Sequence, residues 1–488
     1  MERTDRAVVI GASIGGLLAA RALSETHAEV TVVDRDVLPE EAASRRGVPQ
    51  GRQLHVLLAR GREAFDELFP GLTEELAAMG APLIDLQEQV HWYNDGYRMR
   101  RVPSPLVAFG ISRPLLEHVV RARVAALPGV NLVAGCEVTG LVAAPGSGRV
   151  TGVRVRPRAG DAASAAESVI HADLVVDAGG RGSRSPVWLQ ELGYAPAAQE
   201  QVRVGITYVT RTYRREPHHL GDLLGAFTNA TPELPRAGIV AAQENGTFAV
   251  VLSGMLGEEP PTDDEGMARY AATLTAPQIA EVVRSAVPLS APVRMRYPAS
   301  VRRRYERLRR FPDGYLVMAD ALCSFNPVYG QGMTVAALEA LLLRRLLTRG
   351  ADGLARRFFR GAARIIDAPW SISVGTDLRF PGVEGRRTAT VRFVNAYVNR
   401  VHAAATTDPV VGAAFLRVLN LIDAPARLLA PAVALRVLWG LLGRPTPAAP
   451  RPEADLAAGV GTGGRGAPSW ALFRGSPEPE RQAGDGHG

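Results

Sequence analysis

Residues 7–16 read Ala7-Val8-Val9-Ile10-Gly11-Ala12-Ser13-Ile14-Gly15-Gly16, and a helical stretch to about Ser24 leads on to Val30-Thr31-Val32-Val33-Asp34. An apolar run, a glycine-rich turn, a helix and a β-branched run ending in an acid predict a complete βαβ unit, the opening of a parallel α/β fold. In such a turn one glycine permits the tight bend, a second lets the backbone approach a pyrophosphate, and a third lets helix and strand pack closely. The helix N-terminus then faces the negative charge. Ser13 occupies the second glycine position and leaves a small side chain near the phosphates. Asp34 is a candidate acceptor for ribose hydroxyls, with a solvated strand-end acid as the alternative. Gly11, Ser13, Ile14, Gly15, Gly16 and Arg35 complete this first set.

A dinucleotide turn does not choose between nicotinamide and flavin. The choice comes from Tyr315-Leu-Val-Met-Ala319-Asp320-Ala-Leu-Cys323-Ser-Phe-Asn326-Pro327-Val-Tyr329-Gly330-Gln331-Gly332-Met333. A strand-end carboxylate suits ribityl hydroxyls, and backbone N–H groups at a helix N-terminus suit the isoalloxazine carbonyls. FAD is therefore the expected cofactor, with Asp320, Pro327, Gly330, Gln331, Gly332 and Met333 as its second set of contacts. A third glycine-rich turn, Val175-Val-Asp177-Ala178-Gly179-Gly180-Arg181-Gly182-Ser183, follows another apolar strand and adds Gly180.

Together these motifs resemble the single-component (group A) FAD-dependent monooxygenases with the para-hydroxybenzoate hydroxylase-like fold. Within that group the chain is most similar to bacterial FAD-dependent epoxidases and hydroxylases related to squalene epoxidase. The resemblance spans nearly Ala7 to Leu347, and Trp370 to Pro381 shares its character. Two positions depart from the family: Ala319 replaces the glycine before the acid, and Gly179 replaces the acid of an Asp-Gly pair linked to flavin and pyridine-nucleotide contacts. Asp177 is a candidate to compensate, or a structural strand-end acid. Arg46-Gly47-Val48-Pro49-Gln50-Gly51-Arg52-Gln53-Leu54-His55 and Ile111-Ser112-Arg113-Pro114 also resemble that subfamily. The resemblance implies that Arg46 and Arg113 contact FAD phosphate or ribityl oxygens, where a guanidinium fork fits; a surface role is the alternative for each. His55 and Val138 are placed beside the cofactor on the same ground.

The implied reaction uses NADPH or NADH to reduce FAD. Dioxygen is then captured as a flavin hydroperoxide, whose distal oxygen hydroxylates or epoxidises a largely apolar small molecule. Because the cofactor carries the chemistry, no catalytic side chain is assigned. A prenyl-type FAD-dependent reductase and a non-catalytic flavin redox sensor remain alternatives, whereas flavin halogenases rely on a lysine.

The chain has no lysine: all 56 basic residues are arginine, against 49 acids, for a net charge of +7. Schiff-base chemistry and a phosphate-loop lysine are thereby excluded. With acids interspersed throughout, this reads as compositional bias, and no nucleic-acid partner is expected. Two cysteines and scattered histidines argue against a disulfide framework or a metal site and fit a reducing cytoplasm. No apolar stretch is long enough to span a bilayer; Phe415–Gly443, interrupted by charges and prolines, predicts short amphipathic helices that pack on the protein or touch a membrane surface.

The expected architecture is a Rossmann-like FAD-binding domain (1–85, 111–195, 301–366) interleaved with an antiparallel-sheet substrate domain (86–110, 196–300). A C-terminal helical region (367–445) and a disordered tail (446–488) follow. Hairpin turns are expected at Asn94-Asp95-Gly96 and Asn245-Gly246, and a helix from Gln53 to Met79 broken at Pro70-Gly71. Substrate contacts are sought on the sheet, at His91, Trp92, Tyr93, Tyr208 and Met295, and at Tyr329 of the flavin loop.

Overall fold

The computed structural model describes residues 5–158 and 166–440; the tail expected from 446 onward lies outside them. β1 (Arg6–Ile10), α1 (Ile14–Leu23) and β2 (Glu29–Val33) form the predicted opening unit. β1 is central to a five-stranded parallel sheet ordered Tyr315–Val317, Leu174–Asp177, β1, β2, Val130–Val133. Residues 7–9 are almost wholly inaccessible, as expected for a parallel strand covered on both faces. α1 packs against helix Gly332–Leu347, so both glycine-rich motifs open helices at the carboxyl edge of one sheet, where parallel sheets bind ligands.

The second sheet has eight strands, ordered Cys323–Ser324, Val293–Arg303, Gln199–Arg214, Thr247–Gly254, Arg236–Gln243, Gly225–Thr228, Val90–Asn94, Tyr97–Arg98. Both predicted hairpin turns are present, with φ of 52° and 80° at Asp95 and Gly96 and 59° and 62° at Asn245 and Gly246. Positive φ at both central residues matches the right-handed twist of the flanking strands. The strand Gly225–Thr228, not foreseen in the sequence, pairs in parallel with Val90–Asn94 and stitches that early hairpin onto the later sheet. Helices Asp264–Ala272 and Pro277–Ser285 cover one face, burying Tyr93, Tyr213 and Phe248. The other face looks toward the first sheet.

Two expected elements differ. Helix does not begin at Gln53: Val56–Leu57 pairs with Val107–Gly110 in a small sheet, and the helices run Ala59–Leu68 and Leu72–Ala78, on either side of Gly71 at φ 79°. Beyond Asp367 the first helix is long, Leu354–Asp377, and continues through Pro369. Phe358, Phe359, Ile366 and Trp370 on its buried face join the main core, and that burial outweighs the roughly 3 kcal/mol cost of an internal proline. Ala389–Ala404, Pro409–Leu419 and Pro431–Gly440 follow as the expected short helices. Among the described residues no helix is long and apolar enough to cross a membrane, while Leu435, Leu438 and Trp439 are exposed on the last one.

Candidate cofactor and substrate site

A cavity of about 430 Å³ joins the carboxyl edge of the parallel sheet to the open face of the eight-stranded sheet. Gly11, Ser13, Ile14, Gly15, Asp34, Arg35 and Val138 line the dinucleotide end. His55, Arg113, Gly180 and Asp320 line its middle with Pro327, Gly330, Gly332 and Met333. Trp92, Tyr208, Met295 and Tyr329 line the sheet end. Three expected contacts are not in its wall. Gly16 is a packing glycine, whose added Cβ would run into the Gly11 carbonyl. Gln331 is buried, and its Nε2 donates to the Leu419 carbonyl at 3.0 Å. Arg46 is exposed and faces a separate polar cavity with Arg35 and Arg158.

At the dinucleotide end Gly11 has φ 98°, a conformation an L side chain avoids. Asp34 Oδ2 accepts from the Ala12 N–H at 2.6 Å and fixes the turn. A second arginine, Arg45, meets this end and is not among the contacts expected from the sequence. Its Nη1 donates to Asp34 at 3.1 Å and its Nε to Glu117 at 2.8 Å. Glu117 Oε2 also accepts from Arg113 Nε at 3.2 Å and from Ser13 Oγ at 2.8 Å. Burial would raise the Glu117 carboxyl, but Arg113 and Arg45 hold it below its usual range. The carboxylate thus draws the Ser13 hydroxyl aside, which explains how serine is tolerated where glycine is usual. Glu117 lies four residues after Arg113 on the predicted helix, a signal that could have exposed the pair.

At the middle, Ala319 adopts φ 54°, the conformation for which the family's glycine is suited. The Ala319 N–H donates to Glu339 Oε2 at 2.7 Å. Glu339 is wholly buried, and burial pushes its carboxyl up to about 8. Burial also raises Asp320, opposed by Arg113 and Arg181. The acid missing at 179 has a geometric cause. Asp177 Oδ1 accepts from the Gly179 N–H at 2.7 Å, and a Cβ on Gly179 would lie 2.9 Å from that same oxygen. Asp177 Oδ2 accepts from Ser183 Oγ at 2.5 Å and from Ser185 Oγ, so this acid braces the turn. His55 is driven down to about 4 by burial and by Arg113. It is neutral, and its Nδ1–H donates to the Gln53 carbonyl at 2.9 Å.

These groups fit FAD. Arg45 Nη2 is a buried donor without a partner among the described residues, a helix N-terminus and Gly11 meet it at the same turn, and Asp320 opens the second loop. Toward the sheet the wall turns apolar, with Phe227, Ile239, Val251 and Met295. Trp92 is fixed there by its Nε1–H, which donates to the Leu86 carbonyl at 2.6 Å. Alternation sends its neighbours elsewhere: His91 pairs with Gln278 and Tyr93 enters the core under the helices. Among the described residues no cluster of His, Cys, Asp and Glu could hold a metal ion.

Fold and site define the class: the FAD-dependent oxidoreductases of the group A monooxygenase fold. The chain belongs to the family of protein Rv3254 of Mycobacterium tuberculosis, with which it is 35% identical over 435 residues, covering 86% of this chain and 90% of that one. Kynurenine 3-monooxygenase of Salinispora arenicola is 27% identical over 378 residues, 74% of this chain and 76% of its own length. A flavoprotein/dehydrogenase structure from Cytophaga hutchinsonii superposes with a TM-score of 0.63 at 17% identity, covering 90% of this chain and all of the other. The flavin-dependent brominase Bmp2 reaches 0.62 at 14%, covering 91% of this chain and all of its own. No family model matches the chain.

Proposed function

We propose that the protein is a monooxygenase that uses FAD, NAD(P)H and dioxygen to hydroxylate or epoxidise a largely apolar small molecule. One atom of dioxygen enters the substrate, the other leaves as water, and NAD(P)H supplies the two electrons. The observation that carries this reading is the continuity of one cavity from a dinucleotide cradle to an apolar pocket on the second sheet. A relative of 27% identity is a kynurenine 3-monooxygenase. Bound FAD supplies the redox and oxygen chemistry. The protein's share is to hold and orient it with Arg45, Arg113, Asp34 and Asp320, and to exclude water with the apolar wall. His55 presents a neutral Nε2 acceptor. Buried free Cys136 and Cys323 are consistent with a reducing cytoplasm as the location of this reaction.

The test is anaerobic mixing of the purified, FAD-loaded protein with NADPH or NADH, then with oxygenated buffer. Bleaching of the flavin followed by its return in air, with stoichiometric oxygen uptake, is expected. Failure to retain flavin, or no reduction by either nucleotide, overturns the reading. Asp320→Ala should fold yet lose FAD; full flavin occupancy in that variant refutes the placement of the second motif.

A further inference from the structure

The eight-stranded sheet carries the cavity from a polar end to a hydrocarbon one. At the polar end the Tyr208 hydroxyl donates to Asn326 Oδ1 at 2.8 Å. Asn326 Nδ2 and the Tyr329 hydroxyl donate to Oδ1 of the buried Asp377, at 3.0 and 3.1 Å. From the strand that carries Tyr208 the pairing register then leads outward. Val251 pairs with Ile239, Ile239 with Phe227 and Phe227 with Trp92. One pleat along, Ala241 pairs with Gly225 and Gly225 with Val90. Residues two apart on a strand share a face, and every member of both rows lines the cavity.

The second row is a furrow, because Gly225 and Ala241 carry nothing beyond a Cβ. Beside it stands the ridge of Ile239, Phe227 and Trp92, the last two with ring centroids 5.0 Å apart. Only Trp92 has a polar side-chain atom in either row, and its N–H is already taken by the Leu86 carbonyl. The small sheet abuts the end of Arg236–Gln243, where a Cβ on Gly110 would run into the Ala242 carbonyl. That sheet adds Val56 and Ile84 to the wall, and helix Pro409–Leu419 adds Leu419. The far end is closed, since Ile84, Val90 and Trp92 belong to one packed core with Val411, Leu416 and Val418 of the C-terminal helices. From strand Gln199–Arg214 to strand Val90–Asn94 lie four interstrand spacings, roughly 19 Å. Phe227, Ile239, Val56 and Leu419 along this path are only partly buried, so hydrocarbon laid against them removes apolar surface from water.

We propose that this far arm holds an unbranched hydrocarbon tail of the substrate, laid along the Gly225–Ala241 furrow, and that Ala241 keeps the furrow open while Val90 and Trp92 mark its end. The inference deepens the proposed function and rests on it for the fate of the rest of the molecule. The head that receives oxygen lies at the end of Tyr208 and Asn326. A ligand placed the other way round would bury its polar group where nothing answers it. The furrow is one residue wide, so a branched tail meets the ridge at Phe227 and Ile239. Each methylene laid in the furrow contributes a similar increment, and affinity therefore counts carbons until the closed end is reached. Tail recognition itself needs no turnover.

The test is calorimetric titration of the full-length, FAD-loaded protein with straight-chain methyl ketones, from 2-heptanone to 2-tridecanone, without nicotinamide. Binding should tighten about fourfold for each added methylene and stop tightening once the furrow is filled. Ala241→Leu should bring that limit to a shorter ketone. A hydroxyl on the last carbon of the longest ketone that still gains should weaken its binding at least about tenfold, and a methyl-branched isomer of that ketone should also bind more weakly. Affinity independent of chain length overturns the proposal, as does no binding of any ketone, or a limit that Ala241→Leu leaves in place. If Ala241→Leu does not fold, the hydroxyl-ended ketone decides on the parent protein, where binding equal to that of the plain ketone overturns the proposal. Flavin content and its reduction by NADPH or NADH are read separately. Their failure counts against the proposed function, while the dependence on chain length judges this inference alone.

Discussion

Glu339 Oε2 accepts the Ala319 N–H at 2.7 Å, across the turn that presents Asp320 to the cavity. Ala319 sits at φ 54°, a conformation that costs an L residue roughly 1–2 kcal/mol. The buried acid offsets that cost by satisfying the peptide it exposes. Glu339→Ala should weaken flavin binding at least about tenfold, Glu339→Gln should retain it, and Ala319→Gly should reduce the loss in the alanine variant. Fluorescence titration of apoprotein with FAD measures all three.

Stability should fall as the solution becomes alkaline. Glu339, pushed up to about 8, and Asp377, up to about 7, each bind a proton more tightly folded than unfolded. Their contribution is full below their unfolded values and is lost as pH rises through the folded ones. Thermal melts from about pH 5 to about pH 8 should show a declining midpoint. Glu339→Gln should flatten part of that slope; an unchanged slope would show that the acid is already ionised.

Glu117 is shared between two arginines, at 2.8 Å from Arg45 Nε and 3.2 Å from Arg113 Nε. Removing it strands two buried cations, a loss of roughly 3–5 kcal/mol for a broken buried pair. Glu117→Gln should be nearly as damaging as Glu117→Ala, because every bond the carboxylate makes is one it accepts, and one amide edge can only donate. Melting temperature and flavin content of the two variants check this.

Local signals carried most of the fold. The βαβ opening, the two Asn/Asp-Gly hairpins and helix Gly332–Leu347 announced themselves because glycine position and hydrophobic period depend on neighbours in the chain. Strand Gly225–Thr228 gave no such signal, since it exists through a parallel pairing with Val90–Asn94, more than a hundred residues earlier. The site divides in the same way. Glycine turns and strand-end acids were legible. Arg45 was not distinguishable from Arg46 until the loop placed one against Glu117 and the other in solvent. Asp377 was invisible because its meaning lies in Asn326 and Tyr329, some fifty residues away.

Restoring an acid at position 179 should destabilise the protein. Its Cβ would stand 2.9 Å from Asp177 Oδ1, and a second carboxylate would face the first. Gly179→Asp is expected to lower the melting temperature by several degrees, about 1–3 kcal/mol. The same change in an Asp177→Ala background should cost less. A double-mutant cycle reads the coupling, and additivity within about 0.5 kcal/mol would remove the geometric explanation for the missing acid.

The hairpin turn at Asp95 anchors the C-terminal helices to the eight-stranded sheet. Asp95 Oδ1 accepts from Asn229 Nδ2 at 2.9 Å and from Arg379 Nη1 at 2.8 Å; Oδ2 accepts from His402 Nδ1 at 2.9 Å and Asn399 Nδ2 at 3.1 Å. Burial would raise this carboxyl, yet His402 and Arg379 hold it far below its usual value. Its stabilisation is therefore present above the unfolded value of about 4 and disappears only in strong acid, as pH falls through the folded one. Asp95→Asn isolates the charge, because asparagine tolerates the φ of 52° at this turn. It should cost roughly 3–5 kcal/mol at neutral pH by leaving Arg379 unpaired. Proteolysis should then cut first between the helix ending at Asp377 and the one beginning at Ala389. Protection of that connection equal to the parent's would show that the helices are held by their apolar faces alone.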